Sequence, residues 1–178
     1  MKKIVQKEDK VLRQGTKDIP ISEINTPKIQ KILKEMSIAL KSQSDGVAIA
    51  APQIGYSLSI FIVSSKIFHK DFVRGDKEFE KIPDKEVEKD LVFINPKISK
   101  LSREKEWLPE GCLSVRWLYG NTYRSKKAIV TAYDENGKKF QRGASGLLAQ
   151  IFQHETDHLK GILFIDHAKD VREELANL

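Results

Sequence analysis

The feature that most constrains this chain is the pentapeptide H-E-T-D-H at residues 154–158, set in a segment whose apolar residues recur at helical spacing. On an α-helix the two histidines are one turn apart, about 6 Å along the axis, so both imidazoles leave the same face and can bind one divalent metal. Glu155 then lies beside the metal, where a carboxylate can accept a proton from water and return it to a leaving group. The motif therefore predicts metal-assisted hydrolysis.

We expect this helix to begin near Ser145, which can cap it, and to end at Gly161, which suits the left-handed position after a C-terminus. Leu147, Ile151 and the two histidines fall on one stripe of it. Buried imidazoles need polar partners, and one metal supplies a partner to both. A catalytic centre has three protein ligands and one open position, so another ligand is required.

The single cysteine of the chain, Cys112, is the candidate for that ligand. It can form no intrachain disulfide, so it is a buried apolar residue, a reactive thiol or a metal ligand. Gly111 exposes the backbone beside the thiol, and the residues after Cys112 suit an extended strand. A thiolate with two imidazoles is a suitable catalytic ligand set for Zn(II) or Fe(II).

The composition is that of an ordinary globular protein, with 178 residues, 40% hydrophobic and 31% charged. We expect a single catalytic domain over residues 1–178. The longest apolar runs are far shorter than a membrane span and the first residues are charged, so we expect no membrane association and a cytoplasmic location. The net charge of +6 is more typical of a solvated surface than of a nucleic-acid site, and we expect no sequence-specific nucleic-acid binding.

Apolar and turn residues predict the remaining elements. Thr26 and Pro27 start a helix that continues to Leu40. The predicted strands lie at 58–63, 91–94 and 128–133, with a hairpin turn at 134–137 and a further strand-like segment at 162–165. Charges of both signs dominate a long surface excursion at about 66–90, and 169–175 suits one or two helical turns. We therefore predict an α+β fold, with short, mostly antiparallel strands around a central buried helix that carries the H-E-x-x-H motif.

A second unusual segment is G-V-A-I-A-A-P-Q at 46–53. Small residues there form either a plain buried loop or a place where backbone approaches a ligand. Together with E-G-C-L-S at 110–114 and Q-H-E-T-D-H at 153–158, this segment resembles the three motifs of peptide deformylases, in the family's order. The resemblance implies removal of the formyl group from the N-formylmethionine that starts bacterial and organellar nascent chains.

The resemblance also implies roles for individual residues. The metal ligands would be Cys112, His154 and His158, with Glu155 as the acid and base. The side-chain amide of Gln53 and the backbone N–H of Leu113 would receive the oxyanion formed on attack. The family favours Fe(II), and the ligand chemistry also accepts Zn(II), Ni(II) or Co(II).

Substrate contacts follow from the same motifs. We expect Val47, Leu147 and Ile151 to line an apolar slot for the methionine side chain. The peptide would then lie extended between two backbone segments, formed by Gly46, Val47 and Ala48 on one side and by Glu110 and Gly111 on the other.

Some positions depart from the family's usual pattern, and for one arginine the sequence does not decide the ion-pair partner. Ala48 replaces the usual glycine, and we expect its methyl group to have a modest effect on the fit of the substrate backbone. Arg116 replaces a common proline, and many members carry an arginine near the position of Tyr119, so recognition of the peptide beyond methionine is expected to differ here. Arg124 is either paired with Glu110 or Asp157, or solvated.

Two other functions are compatible with the H-E-x-x-H motif. A metallopeptidase would complete its site with a downstream residue, for which Asp166 and His167 are candidates. A basic RNA-binding protein could instead hold a structural zinc with His167 or His69 as fourth ligand. The number of protein ligands separates these from a deformylase, for which we also expect transient contact with the ribosome and nascent formylmethionyl peptides as partners.

Overall fold

The structure is a computed structural model that describes residues 2–69, 72 and 89–174. Its helices and strands are α1 (Pro27–Lys41), β1 (Ala48–Ala50), β2 (Ile60–Val63), β3 (Leu91–Leu101), β4 (Lys105–Gly111), β5 (Leu118–Ser125), β6 (Lys127–Tyr133), β7 (Lys139–Ser145), α2 (Gly146–Leu159) and β8 (Lys169–Glu173). The described strands form two antiparallel sheets, one of five strands in the order β1-β2-β3-β6-β7 and one of three in the order β4-β5-β8. Helix α2 contacts strands of both sheets. The predicted α+β fold, with antiparallel strands around a helix that carries the motif, is confirmed.

The five-stranded sheet lies between the two helices because its buried strands alternate their side chains. In β2, Ile60 and Ile62 pack into the cluster that contains α1, whereas Phe61 and Val63 pack into the cluster that contains α2. Successive residues of a strand point to opposite faces, so a strand buried on both faces is apolar throughout. The all-apolar sequence of β2 is thus explained by a helix on each side.

Aromatic rings anchor α2 to this sheet. Phe61 of β2 and Phe93 of β3 stack with ring centroids 4.5 Å apart, and Phe152 of α2 meets Phe93 edge-on at 5.1 Å. All three side chains are fully buried, and a buried aromatic ring removes more apolar surface from water than most side chains. The middle of α2, two residues before His154, is therefore fixed against the sheet.

Three local predictions differ from the structure. The extended segment at the cysteine is β4, which precedes Cys112; residues 113–117 form turns, with the Val115 N–H donating to Cys112 O at 3.0 Å. At 162–165 the predicted strand is wrong, because Phe164–Asp166 is a 3-10 turn whose Leu163 N–H donates to the Asp166 carboxylate.

The third difference is at the C-terminal end of the described chain. The predicted helical turns at 169–175 are wrong over their described part, since Lys169–Glu173 pairs with β5 as an exposed edge strand. Most of the predicted excursion at 66–90 lies outside the described residues. Its start is described and forms a 3-10 turn, Ser65–Phe68.

Candidate metal centre

Helix α2 has the ends that the sequence predicts. Ser145 occupies the N-cap position, although its side chain makes no capping hydrogen bond, and the helix ends at Leu159 before Gly161, whose φ is +76°. A Cβ at Gly161 would lie only 2.7 Å from the backbone carbon of Arg13, so both the backbone conformation and the close approach require glycine. This end fixes where the chain leaves the helix just after His158.

The three predicted metal ligands lie together. The ligand atoms of Cys112, His154 and His158 are all within 4.8 Å of one another, and Cys112 Sγ lies 3.2 Å from His158 Nε2. Ligands bonded to a tetrahedral zinc at 2.0–2.3 Å are roughly 3.3–3.8 Å apart, so the spacing suits one divalent ion. His158 Nδ1 is buried and has no hydrogen-bond partner among the described residues. Burial lowers the pKa of His158 well below its usual value, which keeps its imidazole neutral and able to bind a metal.

A chain of charged groups backs His154. His154 Nδ1 donates to Glu110 Oε1, which leaves Nε2 directed toward the other ligands. Glu110 also accepts from Arg124 at 2.8 Å and 3.1 Å, and Arg124 donates to Asp157 at 2.6 Å. Arg124 is buried, so it pairs with both carboxylates and is not a solvated arginine.

The same groups set the charge state of Glu110. Burial favours a neutral carboxyl, but the charge and hydrogen bonds of His154 and Arg124 outweigh burial and hold the pKa of Glu110 well below its usual value. Burial likewise opposes charge on His154, and Glu110 together with Cys112 holds the His154 pKa well above its usual value. A carboxylate that stabilises a proton on this ring also stabilises a metal cation at Nε2. Both Glu110 oxygens are occupied, the second also by Thr122, so this side chain supports a ligand and is not free to contact a peptide.

Glu155 has the environment of an acid and base. It is 4% exposed, and its Oε2 has no hydrogen-bond partner among the described residues. Burial raises the pKa of its carboxyl to about 7. A carboxyl with a pKa close to neutral can both accept and return a proton, which is what general acid–base catalysis requires.

Two hydrogen-bond donors lie beside Cys112. The Gln53 side chain is buried; its Oε1 accepts from the Ala50 N–H at 2.8 Å, which orients its Nε2 toward Ser114 Oγ at 3.2 Å and Cys112 Sγ at 3.6 Å. The Leu113 N–H has no hydrogen-bond partner among the described residues. The Gln53 amide and the Leu113 N–H are thus two donors next to Cys112.

These groups open into a cavity of about 220 Å³. Of the predicted site residues, those that line it are Gly46, Val47, Ala48, Gln53, Glu110, Gly111, Cys112, Leu113, Ile151, His154 and Glu155. Leu147 is not among them. Leu147 lies one turn before Ile151 on α2 and packs into the hydrophobic core with Phe152. Gln150, the residue next to Ile151, lines the cavity instead.

Thr122 and Gln6 carried no signal that singled them out in the sequence, whereas Arg124 was already a candidate partner of Glu110 or Asp157. Thr122 and Arg124 alternate along β5 and face inward, so recognising β5 as a strand could have placed them on one face. Gln6 donates to Leu113 O at 3.1 Å and accepts from the Arg116 N–H at 3.3 Å. It comes from the opposite end of the chain, and no local pattern marks it.

The downstream ligands of the alternative functions lie elsewhere. His167 Nε2 is 3.4 Å from Asp157, and Asp166 pairs with Arg13. Over the described ranges, the one cluster of three or more such ligands is the Cys112 group. A metallopeptidase ligand set completed by residues 166 or 167 is therefore wrong.

Two imidazoles and a thiolate, with a buried carboxylate and a cavity beside them, define a metal-dependent hydrolase. The sequence model of the polypeptide deformylase family matches residues 1–174. The chain belongs to this family, as the three motifs predicted.

Individual relatives agree with this assignment. A peptide deformylase from Borreliella burgdorferi is 39% identical over 90% of this chain and 83% of its own length, and peptide deformylase 2 from Clostridium acetobutylicum is 35% identical over 93% and 94%. A crystal structure of a peptide deformylase from Legionella pneumophila superposes with a TM-score of 0.76 at 31% identity, covering 96% of this chain and 87% of that one. The chain spans about three fifths of the length of the plant relatives it matches, such as the chloroplastic deformylase 1A of Solanum lycopersicum, at 59%.

The described helices include none that combines the length and apolar character needed to cross a membrane.

Proposed function

We propose that this chain removes the formyl group from the N-terminal formylmethionine of newly synthesised polypeptides and releases formate. One observation carries the proposal: the ligand atoms of Cys112, His154 and His158 converge within 4.8 Å, and the neighbouring Glu155 has a buried Oε2 with no hydrogen-bond partner in the described part of the chain. Membership of the deformylase family supplies the reaction class.

The three ligands would hold one divalent metal. A divalent ion at this position supplies Lewis-acid activation of a water molecule and of the formyl carbonyl. The thiolate with two imidazoles suits Fe(II), Zn(II), Ni(II) or Co(II). We propose Fe(II) as the ion in the cell, since the family resemblance favours it. Glu110 orients His154 and strengthens it as a ligand by balancing its charge.

Proton movement would depend on Glu155. Its carboxylate accepts the proton of the attacking water as the oxygen adds to the formyl carbon, and later gives that proton to the amine nitrogen as the C–N bond breaks. The Gln53 amide and the Leu113 N–H would donate to the oxyanion that forms on attack. Their arrangement before substrate binds, with Gln53 held by Ala50, means that little reorganisation is needed during the reaction.

The cavity suits an extended peptide. Strand β1 lies at the edge of the five-stranded sheet and β4 at the edge of the three-stranded sheet. Ala48 of β1 and Gly111 of β4 both line the cavity. An unpaired strand edge binds an extended peptide through its backbone, which makes binding independent of the later side chains. Val47 and Ile151 provide apolar walls for the methionine side chain.

We further propose that the enzyme works in the cytoplasm, in transient contact with ribosomes, since its substrates are chains that are still being made. The net charge of +6, although typical of a solvated surface, is also compatible with work beside ribosomal RNA without sequence readout. Cell fractionation, with the chain followed in the ribosomal pellet at low and high salt, tests this: the pelleted share should fall as salt rises.

The decisive experiment is anaerobic purification with metal analysis, followed by formate release from formyl-Met-Ala-Ser. We expect about one metal ion per chain and turnover that a chelator abolishes. Acetyl-Met-Ala-Ser is the matched substrate control, since it presents a bulkier amide at the same position. Metal-loaded protein that leaves the formyl group intact, or that cleaves internal peptide bonds instead, would show that the proposal is wrong.

A further inference from the structure

An ion pair crosses the exposed end of the cavity. Arg116, in the turns after Cys112, donates to the two carboxylate oxygens of Asp45 at 2.5 Å and 3.0 Å. Its guanidinium also donates to Gln43 Oε1 at 2.9 Å. Asp45 and Arg116 both line the cavity. The pair therefore joins the segment that leads into β1 to the segment that follows β4.

These two segments border the path that we propose for the peptide. Near Gly46 the two segments lie close together, since a Cβ added at Gly46 would lie 3.2 Å from Leu113 Cδ1. The ion pair adds a second connection further out, where the Asp45 side chain is 52% exposed. The separation of the two strand edges at the cavity mouth is thus fixed at two points, one apolar and one charged.

Arg116 is itself held from several directions. Its side chain is only 19% exposed, and its guanidinium carbon lies 4.9 Å from the centroid of the Trp117 ring. Its backbone N–H donates to Gln6 Oε1. A two-point contact between guanidinium and carboxylate fixes orientation better than a single-contact surface pair, and a lysine could not reproduce it.

We propose that Asp45 and Arg116 form a strap that sets the width of the cavity mouth, so that Arg116 is a positioning residue for the part of the peptide beyond methionine. The inference rests on the proposed function. The methionine side chain would lie deeper, between Val47 and Ile151, and would not depend on the strap. Because Asp45 already balances the guanidinium charge, the strap favours any extended peptide and does not select charged residues.

The test separates long from short substrates. In Asp45→Asn and Arg116→Gln, the KM for formyl-Met-Ala-Ser should rise roughly three- to tenfold with kcat within about twofold, since misplacement affects binding more than chemistry. For formylmethionine alone, which has no later residues, kcat/KM should not change. The exchanged pair Asp45→Arg with Arg116→Asp should recover most of the lost affinity for the tripeptide.

Arg13→Gln is the matched control, because it breaks an arginine–carboxylate pair of 2.6 Å with Asp166 that is not part of the cavity lining; both substrates should be unaffected. Equal losses for long and short substrates, or a fall in kcat alone, would overturn the strap. A larger loss for formyl-Met-Asp-Ser than for formyl-Met-Ala-Ser in Arg116→Gln would also overturn it, in favour of direct charge recognition.

Binding of the unformylated peptide Met-Ala-Ser, measured by calorimetry, keeps the two proposals separable. If the wild type releases no formate, the proposed reaction is wrong, yet weaker Met-Ala-Ser binding in both strap variants would still support the strap. Unchanged binding in both variants would overturn the strap whether or not the wild type turns over.

Discussion

The two sides of the metal centre are held in different ways. His154 and His158 lie on α2, which Phe152 anchors to the sheet. Behind His154, Glu110 and Arg124 form a buried chain of charged groups. Cys112 lies at the end of β4, and the residues next to it are positioned by neutral hydrogen bonds, with the Arg116–Asp45 ion pair further along the turn. Gln6 binds the carbonyl of Leu113, and Gln53 binds the hydroxyl of Ser114.

This difference separates two tasks. Charges behind an imidazole change how strongly it binds a cation, because they stabilise positive charge across the ring. Neutral hydrogen bonds around the thiolate add little charge, but they fix the distance between donors and the reacting atoms. Changes on the helix side should therefore alter metal affinity, except at the acid–base residue, and changes on the turn side should alter turnover.

The largest effect should come from Glu155→Gln, which keeps the shape of the side chain on the helix side and removes its ability to accept a proton. We expect formate release to fall about 10²- to 10⁴-fold, with the metal retained. Turnover and metal content should be measured on the same anaerobic sample. Substantial turnover, or loss of the metal, would remove Glu155 from the proton-transfer role.

Next in size is Gln53→Ala on the turn side, which removes one donor to the oxyanion. Loss of a single such donor lowers kcat about 10²- to 10³-fold, while metal affinity should stay unchanged. Ser114→Ala is the matched control, since it removes the hydroxyl that Gln53 contacts and leaves the donor in place. A similar loss of kcat in both variants would mean that Gln53 acts only by supporting the fold.

The sequence predicted the helix side better than the turn side, for a physical reason. Helical periodicity fixes which face a residue occupies, so His154, Glu155 and His158 could be placed together from their spacing alone. Cys112 could be named as a ligand, but the strand was expected on the wrong side of it. A short turn has no period, and its conformation depends on distant partners such as Gln6.

Residues that depend on the meeting of separate elements were the least predictable. The link from His154 through Glu110 to Arg124 joins α2, β4 and β5. The sequence left Arg124 either paired with Glu110 or Asp157 or solvated, and only the assembled fold shows that it pairs with both. Leu147 was expected at the cavity because it shares a stripe with the histidines, but that stripe extends beyond the cavity and its first turn is in the core. Periodicity gives the face of a helix and not how much of that face a cavity occupies.

A smaller effect, confined to the helix side, is expected for Glu110→Gln. The amide can still accept from His154, but the negative charge is lost, and changes behind a ligating histidine typically weaken metal affinity 10- to 100-fold. Competition with a chelator measures this directly. Asp157→Asn removes the other carboxylate that Arg124 contacts without touching His154, so its metal affinity should change much less. Equal weakening in both would place the effect in Arg124 and not in the charge behind His154.

The smallest effect should come from Gln6→Ala, which tests how much the neutral contacts contribute to positioning the turn side. It removes the hydrogen bonds to Leu113 O and from the Arg116 N–H, each of which contributes about 0.5–1.5 kcal/mol to stability. We expect kcat/KM to fall two- to fivefold with metal affinity unchanged, because the Leu113 N–H and the turn after Cys112 would be less well positioned. Gln141→Ala is the control: it removes a glutamine contact to Thr131 within the five-stranded sheet and should leave kcat/KM unaltered. Weaker metal binding in Gln6→Ala would show that the turn side, too, acts on the metal, and would remove the division of tasks between the two sides.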